Sequence, residues 1–260
     1  MKTDSLLAKL LVDGFVVVPD VLNEEETEET RKAFERKVNQ YEKARFTWDE
    51  LRDEPAMANA TGHPKLMEVV DAFFNFFGQQ TTLCHHNGAR DAGVRENYSA
   101  EDEAKMQGFS DLRNRGGWHT DGTCLKDAPD TFAAITVTGL LYLDPTFAHN
   151  GAFIAAQGSH HLHFGFGTTD GKSKYPDPEF ILDNCELRPL PVEPGGVLLF
   201  RGHTWHGVLP THLKHRRLVL QCFCAKEFYD MMPGHNFNES QADFLPSEKH
   251  RYLCSYRDSS

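Results

Sequence analysis

The sequence predicts a mainly β protein with flanking helices, built on a double-stranded β-helix (jelly-roll) core. Helical patterning is concentrated in residues 1–78, and many short strands bounded by turn residues follow it. A 40% hydrophobic content with 19 Phe in 260 residues supports a packed interior, and a chain of this length can bury a full β core as one unit. The expected organisation is a single domain: N-terminal helices over 1–78, a β-helix core over 79–225 and a C-terminal extension over 226–260.

In chain order, Ser5 to Val12 reads as a short helix and Phe15 to Val18 as a strand. Asn23 with Glu26 forms a capping-box-like start, in which each side chain can take the other residue's amide. The helix it opens runs through Arg31, Phe34 and Val38 to about Lys43. Pro64 to Phe77 is a second helix, its apolar face made by Leu66, Val69, Val70, Phe73 and Phe74. Gln80 to His86 reads as a strand, and residues 132–143, 151–156, 186–192, 197–201 and 217–224 supply the others. Pro194-Gly195-Gly196 marks the turn before Val197. Residues 88–115 are a long polar connection containing a short capped helix from Ser99. Connections of that length are uncommon unless functional or disordered, so this one is expected to act as a lid over a site at its end.

The net charge of −11 excludes a general nucleic-acid or anionic-membrane surface. The six cysteines (84, 124, 185, 222, 224 and 254) form no Cys-x-x-Cys pair, so buried thiols are expected at Cys222 and Cys224. Asp4 and Lys9 interrupt the first apolar stretch, which is therefore not read as a signal peptide. No apolar run approaches the roughly 20 residues of a membrane span. A reducing cytoplasm is the expected compartment.

Chemistry is concentrated in Trp118-His119-Thr120-Asp121-Gly122. In an extended segment residues i and i+2 share a face, so His119 and Asp121 can grip one ion while Thr120 points away. With 14 His and 38 acidic residues in the chain, one His-x-acid pair means little by itself. Its setting between Gly116-Gly117 and Gly122 suggests backbone close to something bulky. A distal histidine would complete a two-His, one-carboxylate facial set, the arrangement that suits non-haem Fe(II) oxygenases. His203 and His206 compete for that place, and Arg216-Arg217 follow at the head of the last strand. An arginine there can meet a carboxylate with its planar fork. One of the two is expected to belong only to a solvated basic cluster with Lys214 and His215. His160, His161 and His163 read as polar loop residues rather than a second metal site, and at least one of His85 and His86 as a structural histidine.

These segments occur in an order that resembles the phytanoyl-CoA dioxygenase family of Fe(II)/2-oxoglutarate-dependent oxygenases. Gly14 to Pro19 and Val21 to Glu26 resemble its opening strand and capped helix, and Trp118 to Asp121 its first two ligands. Asn150-Gly151 and Gly158-Ser159-His160 resemble its Asn-Gly and Pro-Gly-Ser-His stretches, with Gln157 in place of the usual Pro. His206-Gly207 resembles the third ligand, and Arg217 stands at the eleventh position after it, where the family places the arginine that holds 2-oxoglutarate. Val208 stands where Ser is frequent, and the upstream basic or amide contact to the cosubstrate has no assigned counterpart.

The resemblance implies iron held by His119, Asp121 and His206, with 2-oxoglutarate held by Arg217 and Thr138 and O2 as co-reactant. A C–H bond of a small metabolite would be hydroxylated, with release of succinate and CO2. Asp121 argues against halogenation, which needs that coordination position for halide. Arg90, Arg95, Arg113, Arg115, Lys126, Lys172 and Lys174 flank the expected mouth and could meet an anionic substrate group. A non-oxidative cupin-like metalloenzyme and a metal-bearing binding protein are the alternatives. Neither nucleic acid nor membrane is an expected partner.

Overall fold

The computed structural model describes residues 2–51, 53–83, 88–93, 112, 117–121, 136–162 and 178–226. The N-terminal part is helix α1 (Thr3–Val12), strand β1 (Phe15–Val18), helix α2 (Glu24–Tyr41), strand β2 (Arg45–Thr47) and helices α3 (Trp48–Leu51), α4 (Pro55–Thr61) and α5 (Pro64–Phe76). The core strands are β3 (Thr81–Leu83), β4 (Gly88–Asp91), β5 (Thr136–Tyr142), β6 (Phe153–Ala156), β7 (Leu187–Leu190), β8 (Val197–Arg201), β9 (His206–Val208) and β10 (Arg217–Ala225). Helix α6 (Pro178–Asn184) precedes β7.

The expected capping box opens α2. The Glu26 amide donates to Asn23 Oδ1 and the Asn23 amide to Glu26 Oε2, each at 2.9 Å. In α5 the five apolar residues expected on one face are all buried, each full burial stabilising by about 1.5–3 kcal/mol. Within the expected strand over 80–86, Thr81–Leu83 is strand β3, and residues 84–86 lie outside the described residues. Gly88–Asp91, expected to open the long connection, is instead strand β4, paired with β10 from Leu220↔Gly88 to Arg217↔Asp91. Of the expected lid, residues 94–111 and 113–115 lie outside the described residues.

Two antiparallel sheets form the core. The larger runs β1-β8-β5-β10-β4-β2 with β3 also on β10, and the smaller runs β7-β6-β9. The large sheet has two differently used faces. Val137, Leu141, Val197, Leu199, Val219 and Phe223 point to the helices and join their apolar cluster. Leu140, Tyr142, Leu198, Phe200 and Leu218, one residue out of step, meet Phe153 and Ala155 of the small sheet. This is the alternation of a strand buried on both sides, and it makes mostly antiparallel sheet, buttressed by helices, the observed fold. Among the described residues no helix is long and apolar enough to cross a membrane.

Candidate metal centre

The site is assembled where β9 meets the segment 117–121. His119 and His206 form an antiparallel bridge in which each amide donates to the other's carbonyl at 2.9 Å. The Asp121 amide donates to Gly202 O, also at 2.9 Å. The main chain therefore fixes all three residues before any ion is considered. Gly117 lies at φ 56° with open space around it. Its use is the left-handed backbone; Gly116 and Gly122, the other glycines of the expected close approach, lie outside the described residues.

The ring nitrogens are sorted as a metal site requires. His119 Nδ1 faces Gly117 O at 2.7 Å and His206 Nδ1 faces Thr204 O at 2.8 Å. A carbonyl accepts, so each Nδ1 carries the proton and each Nε2 keeps its lone pair. Both Nε2 atoms turn to one carboxylate oxygen: Asp121 Oδ1 is 3.6 Å from His206 Nε2 and 3.9 Å from His119 Nε2. All three donor atoms lie within 4.8 Å of one another. Donors about 2.0–2.2 Å from a shared divalent ion are roughly 3–4 Å apart, so the set fits an ion. Among the described residues this is the one His/Cys/Asp/Glu group so arranged, and it contains His206, not His203.

Burial, helped by His119 and opposed by Asp121, lowers the His206 pKa to about 4, which keeps the ring neutral. Phe153 stacks on it with centroids 4.9 Å apart, and Phe200 meets it at 4.6 Å. His119 and Asp121 are open to solvent, so the centre is walled by aromatics on one side and accessible on the other. The Thr138 hydroxyl donates to Asp121 Oδ2 at 3.4 Å and lies 3.8 Å from Cys222 Sγ. Thr138 therefore reaches the site through a ligand, holding the carboxylate oxygen that does not face the histidines.

The arginines point to opposite sides at the head of β10. Arg217 shares the helix-side parity of Val219 and Phe223. Its amide and Nε donate to Asp144 Oδ2 at 2.8 and 2.9 Å, Nη2 to Asp144 Oδ1 at 2.7 Å and Nη1 to Glu35 Oε1 at 2.7 Å. The structure thus does not bring the Arg217 guanidinium to the metal donors. Arg216 shares the inner parity of Leu218. It is 7% exposed, far from a solvated cluster residue, and its Nη1 donates to Gly151 O at 2.8 Å.

Arg90 of β4 is also on the inner face, level with Leu218 and Tyr142. Burial and the neighbouring Arg45 make its guanidinium less basic than usual, while Tyr142 and Asp121 act in the opposite sense. Its buried Nε has no hydrogen-bond partner. Burial pushes the Tyr142 phenol up, and the charges of Arg216 and Arg90 pull it back. Two cations thus flank one buried phenol. Of the seven mouth cations Arg90 alone is a described residue. Sequence reasoning misses Tyr142 and prefers Arg217 to Arg216 because β5 and β10 are buried on both faces, where inner and outer parity look alike.

The motifs beside the site are struts. Ser159 Oγ accepts the Trp205 amide, and His160 Nε2 pairs with Leu11 O. Burial and Arg201, with His161, take His160 down to about 3, which suits a neutral structural histidine; His85, His86 and His163 lie outside the described residues. Asn150 Oδ1 accepts from Thr211 Oγ1 and the His212 amide. Gly151 sits at φ 71°, where a Cβ would lie 2.9 Å from Thr211 Oγ1 and 3.4 Å from Arg216 Cδ. The Asn-Gly pair thus ties down the turn and presents the carbonyl that Arg216 grips. Val208 packs against the inter-sheet core.

Comparison with known proteins agrees with this geometry. The phytanoyl-CoA dioxygenase (PhyH) family model matches residues 10–218. The non-haem alpha-ketoglutarate-dependent epimerase SnoN from nogalamycin biosynthesis superposes with a TM-score of 0.63 at 16% identity, covering 90% of this chain and 91% of its own. The carbocyclase SnoK from the same biosynthesis gives 0.61 at 14% identity, covering 87% of each chain. EctD from S. alaskensis, solved with bound Fe, gives 0.63 at 14% identity, covering 100% of this chain and 85% of its own. No curated protein matches the sequence. With a family match over most of its length, the chain belongs to the phytanoyl-CoA dioxygenase family of Fe(II)- and 2-oxoglutarate-dependent oxygenases.

Proposed function

We propose that this enzyme couples the oxidative decarboxylation of 2-oxoglutarate to oxidation of an unactivated C–H bond in a small metabolite, with hydroxylation as the default outcome. The observation that carries the reading is the convergence of two backbone-fixed Nε2 atoms on Asp121 Oδ1. His119, Asp121 and His206 would hold Fe(II) on one face and leave the opposite positions for ligands. Iron with 2-oxoglutarate supplies an oxidant made from O2, and succinate and CO2 leave. The protein's own part is to orient and to exclude water.

For the cosubstrate's far carboxylate the inner-face position favours Arg216 over Arg217. Thr138 and Cys222 pair at the metal end of the sheet, and Tyr142 pairs with Leu218 four rungs away, two residues short of Arg216. Four rungs are about 13 Å, and an arginine reaching back toward the metal shortens the gap that a five-carbon diacid has to span. Arg90, with its unpartnered Nε, and Tyr142 flank that path and supply the upstream contact that the sequence left unassigned. The buried Arg90 Nε lacks a hydrogen-bond partner, and a carboxylate would supply one.

SnoN is named for epimerisation and SnoK for carbocyclisation, so the fold carries outcomes besides hydroxylation. A natural-product-like metabolite is the substrate class we favour. We also take the chain to act as a single domain in the cytoplasm. The test is succinate formation from 2-oxoglutarate with Fe(II) and O2 across a metabolite panel. Absence of succinate with iron-loaded protein, for every metabolite and in their absence, would sink the oxidative reading.

A further inference from the structure

Arg216 and Arg217 are identical side chains on adjacent residues, and a one-residue slip of a strand exchanges its faces. Something must decide which of them enters the core. On the β5 side of β10 the ladder ends at Leu218↔Tyr142. Beyond it the Arg217 amide is taken by the Asp144 carboxylate instead of a main-chain carbonyl. The same carboxylate grips that residue's guanidinium through Nε and Nη2. The Leu143 amide returns a bond to Arg217 O at 2.9 Å. Asp144 thus reads both the main chain and the side chain of one residue, which a carboxylate at another register could not do. It is 9% exposed, and Arg217 is 8% exposed, so the pair is shielded and its geometry is worth more than that of a surface pair.

Helix α2 backs this clamp. Arg31 Nη2 donates to Leu143 O, and its Nε lies 3.8 Å from Asp144 Oδ1. Glu35 takes the remaining Arg217 nitrogen. On the other edge Asp91 Oδ1 accepts the Arg216 amide at 2.9 Å. Two aspartates therefore hold the two amides, and Asp144 also grips the Arg217 guanidinium.

We infer that Asp144 is a positioning residue for the cosubstrate: by claiming Arg217 on the helix side it fixes Arg216 as the arginine that faces the interior and meets the far carboxylate. This rests on the oxygenase reading above. It predicts a selective defect. Loosening the clamp harms recognition of the far carboxylate and nothing at the metal end.

The experiment is calorimetric, on Mn(II)-loaded protein under turnover-free conditions, with two ligands. One is 2-oxoglutarate; the other is 2-oxopentanoate, the same keto-acid head with methyl in place of the far carboxylate. Asp144→Asn should weaken 2-oxoglutarate by about tenfold or more, the range typical of lost orienting partners, and leave 2-oxopentanoate and Mn(II) affinity unchanged. Arg217→Lys, which keeps a cation on Asp144, should restore 2-oxoglutarate binding relative to Arg217→Gln. Glu35→Gln, on the exposed arm, should change neither ligand. If Asp144→Asn does not fold, Arg217→Gln loosens the same pair from the other side and carries the same expectation. Equal losses for both ligands, or no loss for either, would mean a structural pair only and overturn the inference. Wild-type protein that binds Mn(II) but does not prefer 2-oxoglutarate would overturn the cosubstrate reading itself, and the inference with it.

Discussion

Burial holds His206 neutral at about pKa 4 and backbone carbonyls hold both Nδ1 protons, so the imidazoles are arranged as ligands before any ion arrives. The carboxylate supplies the charge. Asp121→Ala should therefore cost metal affinity by tenfold or more, about the scale at which even an orienting partner matters, as read by Mn(II) titration; unchanged affinity would reject the assignment. Arg216→Ala should cost 2-oxoglutarate binding about 2–5 kcal/mol, the scale for a buried charge left unpaired, and more than Arg217→Ala, which loosens the clamp but keeps the Arg216 guanidinium. A reversed order in cosubstrate titrations would place the wrong arginine at the carboxylate. His119 and Asp121 were legible because an i, i+2 pair shares a face in any extended segment. Choosing between neighbouring arginines needs the strand's facing. Leu218, Val219, Leu220 and Phe223 are apolar on both parities, so alternation carried no signal. The eleven-residue spacing to Arg217 pointed to the helix side, while the partner that claims it, Asp144, is far away in sequence.

Helices with strong local punctuation were legible and short elements were not. Asn23 and Glu26 announce α2 by residue type alone, and both capping bonds form. Asn23→Ala should destabilise by about 1 kcal/mol in a chemical melt, without changing metal affinity; a neutral result would make the cap ornamental. Strand β9 has three residues and its ladder partner is β6, so no window of sequence marks it. Strand β4 hid inside a polar stretch because Gly88, Arg90 and Asp91 are poor strand formers, and it exists through pairing with β10. The clamp between α2, the end of β5 and β10 gives these elements a pH signature. Burial works to raise the Asp144 pKa, but the hydrogen bonds and charge of Arg217, with the charge of Arg31, outweigh it and hold the carboxyl below its usual range. A depressed carboxyl adds stability above its unfolded pKa of about 3.9 and loses that contribution as pH falls through the folded value. The melting-temperature gap between wild type and Asp144→Asn should thus be full at neutral pH and close on acidification below about pH 4. A gap independent of pH would mean that charge is not what Asp144 contributes.

At the scale of the molecule, the site joins parts that the chain keeps separate. His206 belongs to the small sheet, His119 and Asp121 to a segment bridged to it, Thr138 and Arg90 to the inner face of the large sheet, and Arg216 to the residue just before β10. The sheets otherwise meet through apolar contacts such as Phe153 on Phe200, 4.7 Å between centroids. An ion on the three donors ties the small sheet to residues 119–121. A diacid running from that ion to Arg216 then ties it to the large sheet. Each ligand that binds only the folded state stabilises it by RT ln(1 + [L]/Kd), about 2.7 kcal/mol at a hundredfold excess over Kd. Mn(II) should therefore raise the melting temperature, and 2-oxoglutarate should raise it further once Mn(II) is present but little alone. The order matters because the keto-acid head would be held by the metal, so the diacid without metal keeps only its far-carboxylate contact. Asp121→Ala should abolish both steps, whereas Arg216→Ala should keep the first and lose the second. A 2-oxoglutarate shift of equal size with and without metal would place the diacid outside the line from the metal donors to Arg216.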